Sequence, residues 1–305
     1  MYDRFKLNFL LDFNSGIVLE MCQHPTVVMQ YAEHLRSQYL CQSVCPDSDW
    51  PPLIGEQYTK LALIEHERQL ESEEYAQFIA ENRAHGKIDH IVAERKETEL
   101  ADMLMSTSEH CNQVRVLIDG TPGVGKTTLC RKMSRDWASE KLLKEYDVVL
   151  LLHLREKKIA KARSLEDIFS HPDPVLRAEV VVHILRSGGK NVLLILDGLD
   201  ELSHRDRTED SLFLDLIHKK LLPNCSLVIT SRPYASESLV QLKCIDRHVE
   251  VLGFTEKQIV KCIRDSIKDE DEAAKLVESL QERQDIMLMC YVPLLCAIAM
   301  YISSS

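Results

Sequence analysis

With 305 residues, 45% apolar and 28% charged, the chain has the composition of a globular protein of one large or two ordinary domains, which excludes a disordered or fibrous polymer. Its formal net charge of −11 argues against a polyanion as the main partner, because nucleic-acid binding draws on a basic surface. Ten cysteines are scattered through apolar and helical stretches, and Asn8 and Asp12 interrupt the start MYDRFKLNFLLDF, so the chain reads as a cytoplasmic protein of a reducing compartment and not a secreted one.

Residues 1–110 read as a helical accessory region and linker with no phosphate or metal chemistry, broken at CPDSDWPPLIG. Between 56 and 80, Tyr58, Leu61, Ile64, Tyr75, Phe78 and Ile79 fall near helical spacing among many acids, so a packed helix with a solvated face is expected there. Cys41 and Cys45, with His34 upstream, lack the second ligand pair of a zinc site. The polar stretch 106–113 reads as the linker into the next domain.

The apolar run VRVLI leads into GTPGVGKTT at 120–128, which fits G-x-x-x-x-G-K-[ST], the phosphate-binding loop. Gly120, Gly123 and Gly125 let the backbone turn its N–H groups inward, and Thr121, Pro122 and Val124 fill the positions between them. The Lys126 ammonium can reach the β- and γ-phosphates, the Thr127 hydroxyl can take a place on Mg²⁺, and Thr128 continues the helix that follows. ATP or ADP is expected in preference to GTP, since no Asn-Lys-x-Asp element is found.

From there apolar runs alternate with helical patterns: VRVLID, DVVLLLHL, NVLLILD, CSLVITS and RHVEVLG. Five such strands separated by helices predict an α/β, three-layer α/β/α P-loop NTPase fold, with a parallel five-stranded sheet over 111–253. The third run ends in Asp197-Gly198-Leu199-Asp200-Glu201, at the strand end where ligands of such sheets bind. Asp197 suits Mg²⁺ or its bound water, Glu201 is the candidate general base, and Asp200 can support either. An acidic turn capping the next helix is the bland alternative. In CSLVITSRP, Thr230, Ser231 and Arg232 end a further strand, where a guanidinium can sense a γ-phosphate; the alternative is a surface arginine before a turn.

Beyond 253 the pattern is helical only, opened by a capping box of Thr255 and Gln258. The uncharged run IMLMCYVPLLCAIAMYI at 286–302 sits at the short edge of a bilayer span, but Pro293 interrupts it and basic flanks are lacking, so a buried helix pair is expected and no membrane span. Residues 254–305 thus form a helical subdomain.

The succession GTPGVGKTT, LLHLRE, VLLILDGLDEL, LVITSRP, VEVLGFTEKQI and YVPLL resembles the NACHT domain, the nucleotide switch of NOD-like receptors among the STAND P-loop ATPases. The resemblance covers about residue 115 to the end, and the acid pair after a small residue is its most specific part. It implies the strand order fifth, first, fourth, third, second. It implies that Gly120 through Thr128 bind phosphate, that Asp197 is the metal-side acid, that Asp200 and Glu201 are the hydrolytic acids and that Arg232 is the sensor. Pro293 matches the proline near the adenine, with Tyr291 where some members carry glycine, and Arg155 matches a family arginine. Slow ATP hydrolysis, nucleotide-controlled closure and self-association in innate-immune signalling follow as expectations, with an unknown adaptor as partner. The winged helix and any leucine-rich repeats would lie beyond Ser305, so the chain reads as a fragment or a shortened gene model. A motor or remodelling ATPase, or a pseudo-switch that binds nucleotide without a complete sensor, are the other functions the residues allow.

Overall fold

A computed structural model of the chain describes residues 58–66, 88–94, 97–105, 113–169, 184–202, 211–240 and 244–304, with single positions near 32–36, 81–82 and 181. The cysteine pair at 41 and 45, Tyr75, Phe78 and Ile79 of the helix expected over 56–80, and the linker residues 106–112 lie outside the described residues.

Among the described residues six strands form one sheet: β1 (Ala62–His66), β2 (Arg115–Asp119), β3 (Val148–His153), β4 (Val192–Asp197), β5 (Ser226–Ser231) and β6 (Arg247–Gly253). Their order is β1-β6-β2-β5-β4-β3. The last five pair in parallel, in the order that the resemblance implies. Side chains of β2, β4 and β5 are buried at every position, as expected of strands covered on both faces.

The sheet is therefore mixed and six-stranded where a parallel five-stranded one was expected. The extra strand, β1, comes from the amino-terminal region and runs antiparallel along β6. The spacing of Tyr58, Leu61 and Ile64 suggests a helix, but a short apolar run cannot be told from a strand by periodicity alone. Ala62, Leu63 and Ile64 are all buried, so both faces of β1 are used. β1 also covers the hydrogen-bonding edge that β6 would otherwise present to solvent.

Helices flank the sheet. We label α1 (Ile88–Glu94), α2 (Lys126–Ala138), α3 (Leu212–Ile217), α4 (Pro233–Val240), α5 (Glu256–Ser266), α6 (Glu270–Glu282), α7 (Gln284–Cys290) and α8 (Pro293–Ser304). α2 packs on β3 and β4, and α4 on β2. Ile88 and Ile91 of α1 join Ala62, Ile64 and Leu252 in a small cluster of their own, which holds α1 to the β1–β6 edge. The fully buried Arg115 donates to the carbonyls of Leu216 and Ile217 at the end of α3 and of Cys225 just before β5, which ties the two together.

The capping box of α5 forms: the Thr255 hydroxyl accepts from Gln258 N–H, and the Gln258 side chain accepts from Thr255 N–H at 2.7 Å. Pro293 splits the apolar 286–302 run into α7 and α8. That pair is only partly buried, because Leu288, Met289, Leu294, Ile298, Tyr301 and Ile302 are exposed. Among the described residues no helix is long and apolar enough to cross a membrane.

Candidate functional site

The loop at 120–128 joins β2 to α2, and its glycines adopt conformations that side chains resist. Gly125, the N-cap of α2, has φ +104°, and a Cβ there would stand 3.0 Å from the Leu61 side chain. The loop is thus packed directly under the segment that leads into β1. Lys126 and Thr127 open α2, whose N-terminal N–H groups and dipole favour an anion.

Around this loop lies a cavity of about 520 Å³. Pro122, Gly123, Gly125, Lys126, Thr127 and Thr128 line it from the loop, Asp197, Gly198, Asp200 and Glu201 from the end of β4, and Thr230 and Arg232 from the end of β5. Pro293 and Leu294 reach it from α8. The loop, the acids, the sensor arginine and the proline proposed from sequence thus meet at one place. Gly120, Thr121 and Val124 belong to the same turn but do not face the cavity; Val124 is buried beneath it.

Asp197 is the hub. Its Oδ1 accepts from the Thr230 hydroxyl at 2.8 Å and the Thr127 hydroxyl at 3.2 Å, and its Oδ2 lies 2.9 Å from His153 Nδ1. Burial alone would raise this carboxyl, but the bonds from His153 and Thr230 outweigh it and hold Asp197 below the ordinary carboxylate range. It is therefore anionic at neutral pH. Hydroxyl and carboxylate oxygens converging in this way are the hard donors that Mg²⁺ takes, so Thr127 and Asp197 fit the metal role.

The other acids behave differently. Asp200 is nearly buried and its Oδ2 pairs with Arg232 Nε at 2.9 Å. Glu201 is more open, and desolvation with the nearby Asp200 and Asp197 charges raises its carboxyl above the ordinary glutamate value of 4.5, against Arg155 and Arg232. A raised carboxylate facing a cavity is a stronger base than a free one. The Lys126 ammonium donates to the carbonyls of Gly120 at 2.6 Å and Thr121 at 3.1 Å. Burial holds it below the ordinary lysine range, Asp200 opposes this, and Arg232 adds to it.

Arg131 escaped sequence reading: it sits one helical turn beyond Thr127 on α2, a spacing that places both on one face. Arg155, matched to a family arginine without an assigned role, follows β3 and lines the cavity. With Lys126 and Arg232 they set four cations against the three acids Asp197, Asp200 and Glu201, in a chain whose net charge is −11. His153 could have been found from LLHLRE, since it ends β3 opposite Asp197 in the register. Tyr58, Thr59, Leu61, Phe254, Cys262 and Ser266 also line the cavity, together with Pro293. Tyr58, Thr59 and Leu61 carry no local signature; they arrive through the pairing of β1 with β6.

Sheet order, phosphate loop and strand-end acids define a P-loop NTPase fold. The chain matches the NACHT domain family over residues 114–270, and it belongs to that family. It is similar to NACHT, LRR and PYD domains-containing protein 3 of Bos taurus, 32% identical with 88% of this chain and 27% of that protein covered. The human NACHT, LRR and PYD domains-containing protein 12 is 29% identical, with 80% and 24% covered. A solved chain of the S. cerevisiae Hsp104:casein complex matches 80% of this chain and 41% of its own length at 11% identity and a TM-score of 0.42. The chain thus spans about a quarter of the length of these curated relatives. It is an NLR-like nucleotide-binding domain.

Proposed function

We propose that the cavity binds ATP and ADP with Mg²⁺ and that the bound nucleotide sets the conformation of a signalling switch of the NOD-like receptor kind. The observation that carries this reading is the convergence on one cavity of the Lys126 loop, the Thr127–Asp197 pair, Arg232 and the apolar wall of Phe254 and Pro293. The phosphates lie over the 120–128 loop, within reach of Lys126, Arg131 and Arg232. Thr127 and Asp197 would hold Mg²⁺, which would supply positive charge to offset that of the phosphates. The base lies against the apolar lining residues Tyr58, Phe254 and Pro293, where a flat ring gains apolar contact.

Glu201 orients or deprotonates the attacking water, and Asp200 holds Arg232 in place; slow ATP hydrolysis that serves regulation follows from the family membership. Self-association through the nucleotide-binding domain and an adaptor partner complete the proposal; support for them is the family membership alone. Cys130, Cys225, Cys244, Cys262, Cys290 and Cys296 are free thiols, in keeping with a cytoplasmic setting.

The test is calorimetry of Lys126→Ala. We expect the affinity for ADP and for Mg·ATP to fall at least tenfold, about 1.4 kcal/mol, since the ammonium is the one cation fixed inside the loop itself. Unchanged affinity for both nucleotides would remove the phosphate-site assignment.

A further inference from the structure

Three adjacent strands bring a second set of ligand-type side chains together outside the nucleotide cavity. His66 of β1 is the cross-strand partner of His248 on β6, so the two rings project from the same face and stack with centroids 4.5 Å apart. On the other side of β6, Leu117 pairs with His248 and Asp119 with Glu250. Alternate residues share a face, so Asp119 and Glu250 stand on the face of the two histidines.

We propose that His66, His248 and Asp119, with Glu250 beside them, form a binding site for a divalent cation of the zinc class that clamps the amino-terminal strand to the nucleotide-binding sheet. One ligand atom from each of His66, Asp119 and His248 lies within 4.8 Å of the others. His248 Nε2 is 3.0 Å from Asp119 Oδ2, and His66 Nε2 is 3.2 Å from Glu250 Oε2. Nitrogen and carboxylate donors held to zinc at 2.0–2.2 Å stand roughly 3.3 Å from one another in a tetrahedron, so closure needs only small side-chain rotations.

The second observation is Asp119 itself. Its side chain is 8% exposed, and its other oxygen, Oδ1, is buried with no hydrogen-bond partner. A lone buried carboxylate oxygen is costly, and a cation removes that cost. Two imidazoles with carboxylates select a borderline metal such as Zn²⁺, since Ca²⁺ and Mg²⁺ prefer sites made of oxygen alone. Asp119 is also the last residue of β2 before Gly120, so the strand that the metal would pin is the one that launches the phosphate loop.

The experiment uses the chelator-treated chain, titrated with Zn²⁺ against a chromophoric chelator and separately with Co²⁺. We expect one tightly held Zn²⁺ per chain, and Co²⁺ visible bands of tetrahedral character without a sulfur charge-transfer band. His66→Gln, His248→Gln and Asp119→Asn should each weaken Zn²⁺ at least tenfold, whereas His90→Gln on α1, an exposed histidine, should not. Absence of stoichiometric Zn²⁺, as for histidines held only by protons and carboxylates, would overturn the proposal. So would a thiolate band from the cysteines, or histidine variants that hold Zn²⁺ as tightly as the parent chain. If a variant fails to fold, the stoichiometry and the Co²⁺ spectrum of the parent chain still decide.

Discussion

The Asp197 carboxylate divides its oxygens between two tasks. Oδ1 faces the hydroxyls of Thr127 and Thr230, while Oδ2 is anchored by His153 on the neighbouring strand. A carboxyl held below its ordinary range contributes stability at pH values above that range and loses it as pH falls through the depressed value. Glu201 has the opposite shift, so its proton leaves above the ordinary 4.5. If Glu201 is the base, hydrolysis should rise with pH through a midpoint above 4.5, because only the ionised form accepts a proton. Glu201→Gln should keep ATP bound, erase that limb and lower hydrolysis about 10²-fold. A variant as fast as the parent, with the same acid limb, would transfer the role to another residue, with Asp200 the next to test.

At the level of elements, α8 is tied to the phosphate loop by backbone. Leu294 N–H donates to the Gly123 carbonyl at 3.3 Å, and Phe254 N–H donates to the Tyr291 carbonyl at 2.9 Å. Gly253, with φ +111°, sits at the crossing: a Cβ there would stand 2.2 Å from Tyr291 O, a backbone atom that cannot swing away. Gly253→Ala should therefore cost about 2 kcal/mol or more and lower Tm by roughly 4 °C or more. It should also weaken nucleotide binding, since Pro293 and Leu294 move with Tyr291; a Tm within a degree of the parent would contradict the close approach. This crossing was not legible in the sequence, where Gly253 simply ends an apolar run. The loop at 120–128 and the acids at 197–201 were legible, because their chemistry depends on residues adjacent in the chain. Tyr58, Thr59 and His66 were not, because their places depend on which edge β1 joins. A strand of five residues with buried side chains on both faces leaves no alternation to read.

Across the whole molecule, the cavity is closed by parts distant in sequence: the β1 approach on one side, the β4 and β5 ends on another, and α8 above the loop. The Arg232 guanidinium bridges to Asp200 and is 44% exposed, so it is held by one acid yet open to the cavity. A γ-phosphate would compete with Asp200 for it, whereas ADP offers no group at that position. A ligand shifts a conformational equilibrium only by its differential affinity, so under the proposed function the Arg232–Asp200 contact is the place where ATP and ADP differ. We predict that the protein is mainly monomeric with ADP and self-associates with a non-hydrolysable ATP analogue. Arg232→Ala should blunt that difference while leaving ADP affinity nearly intact, because ADP lacks the phosphate that the guanidinium senses. Light scattering in the two nucleotide states measures this directly. Equal mass in both states, with nucleotide bound, would replace the switch by a domain that binds nucleotide without acting on it. Equal mass with rapid turnover would instead favour a motor or remodelling ATPase, whose purpose is steady hydrolysis.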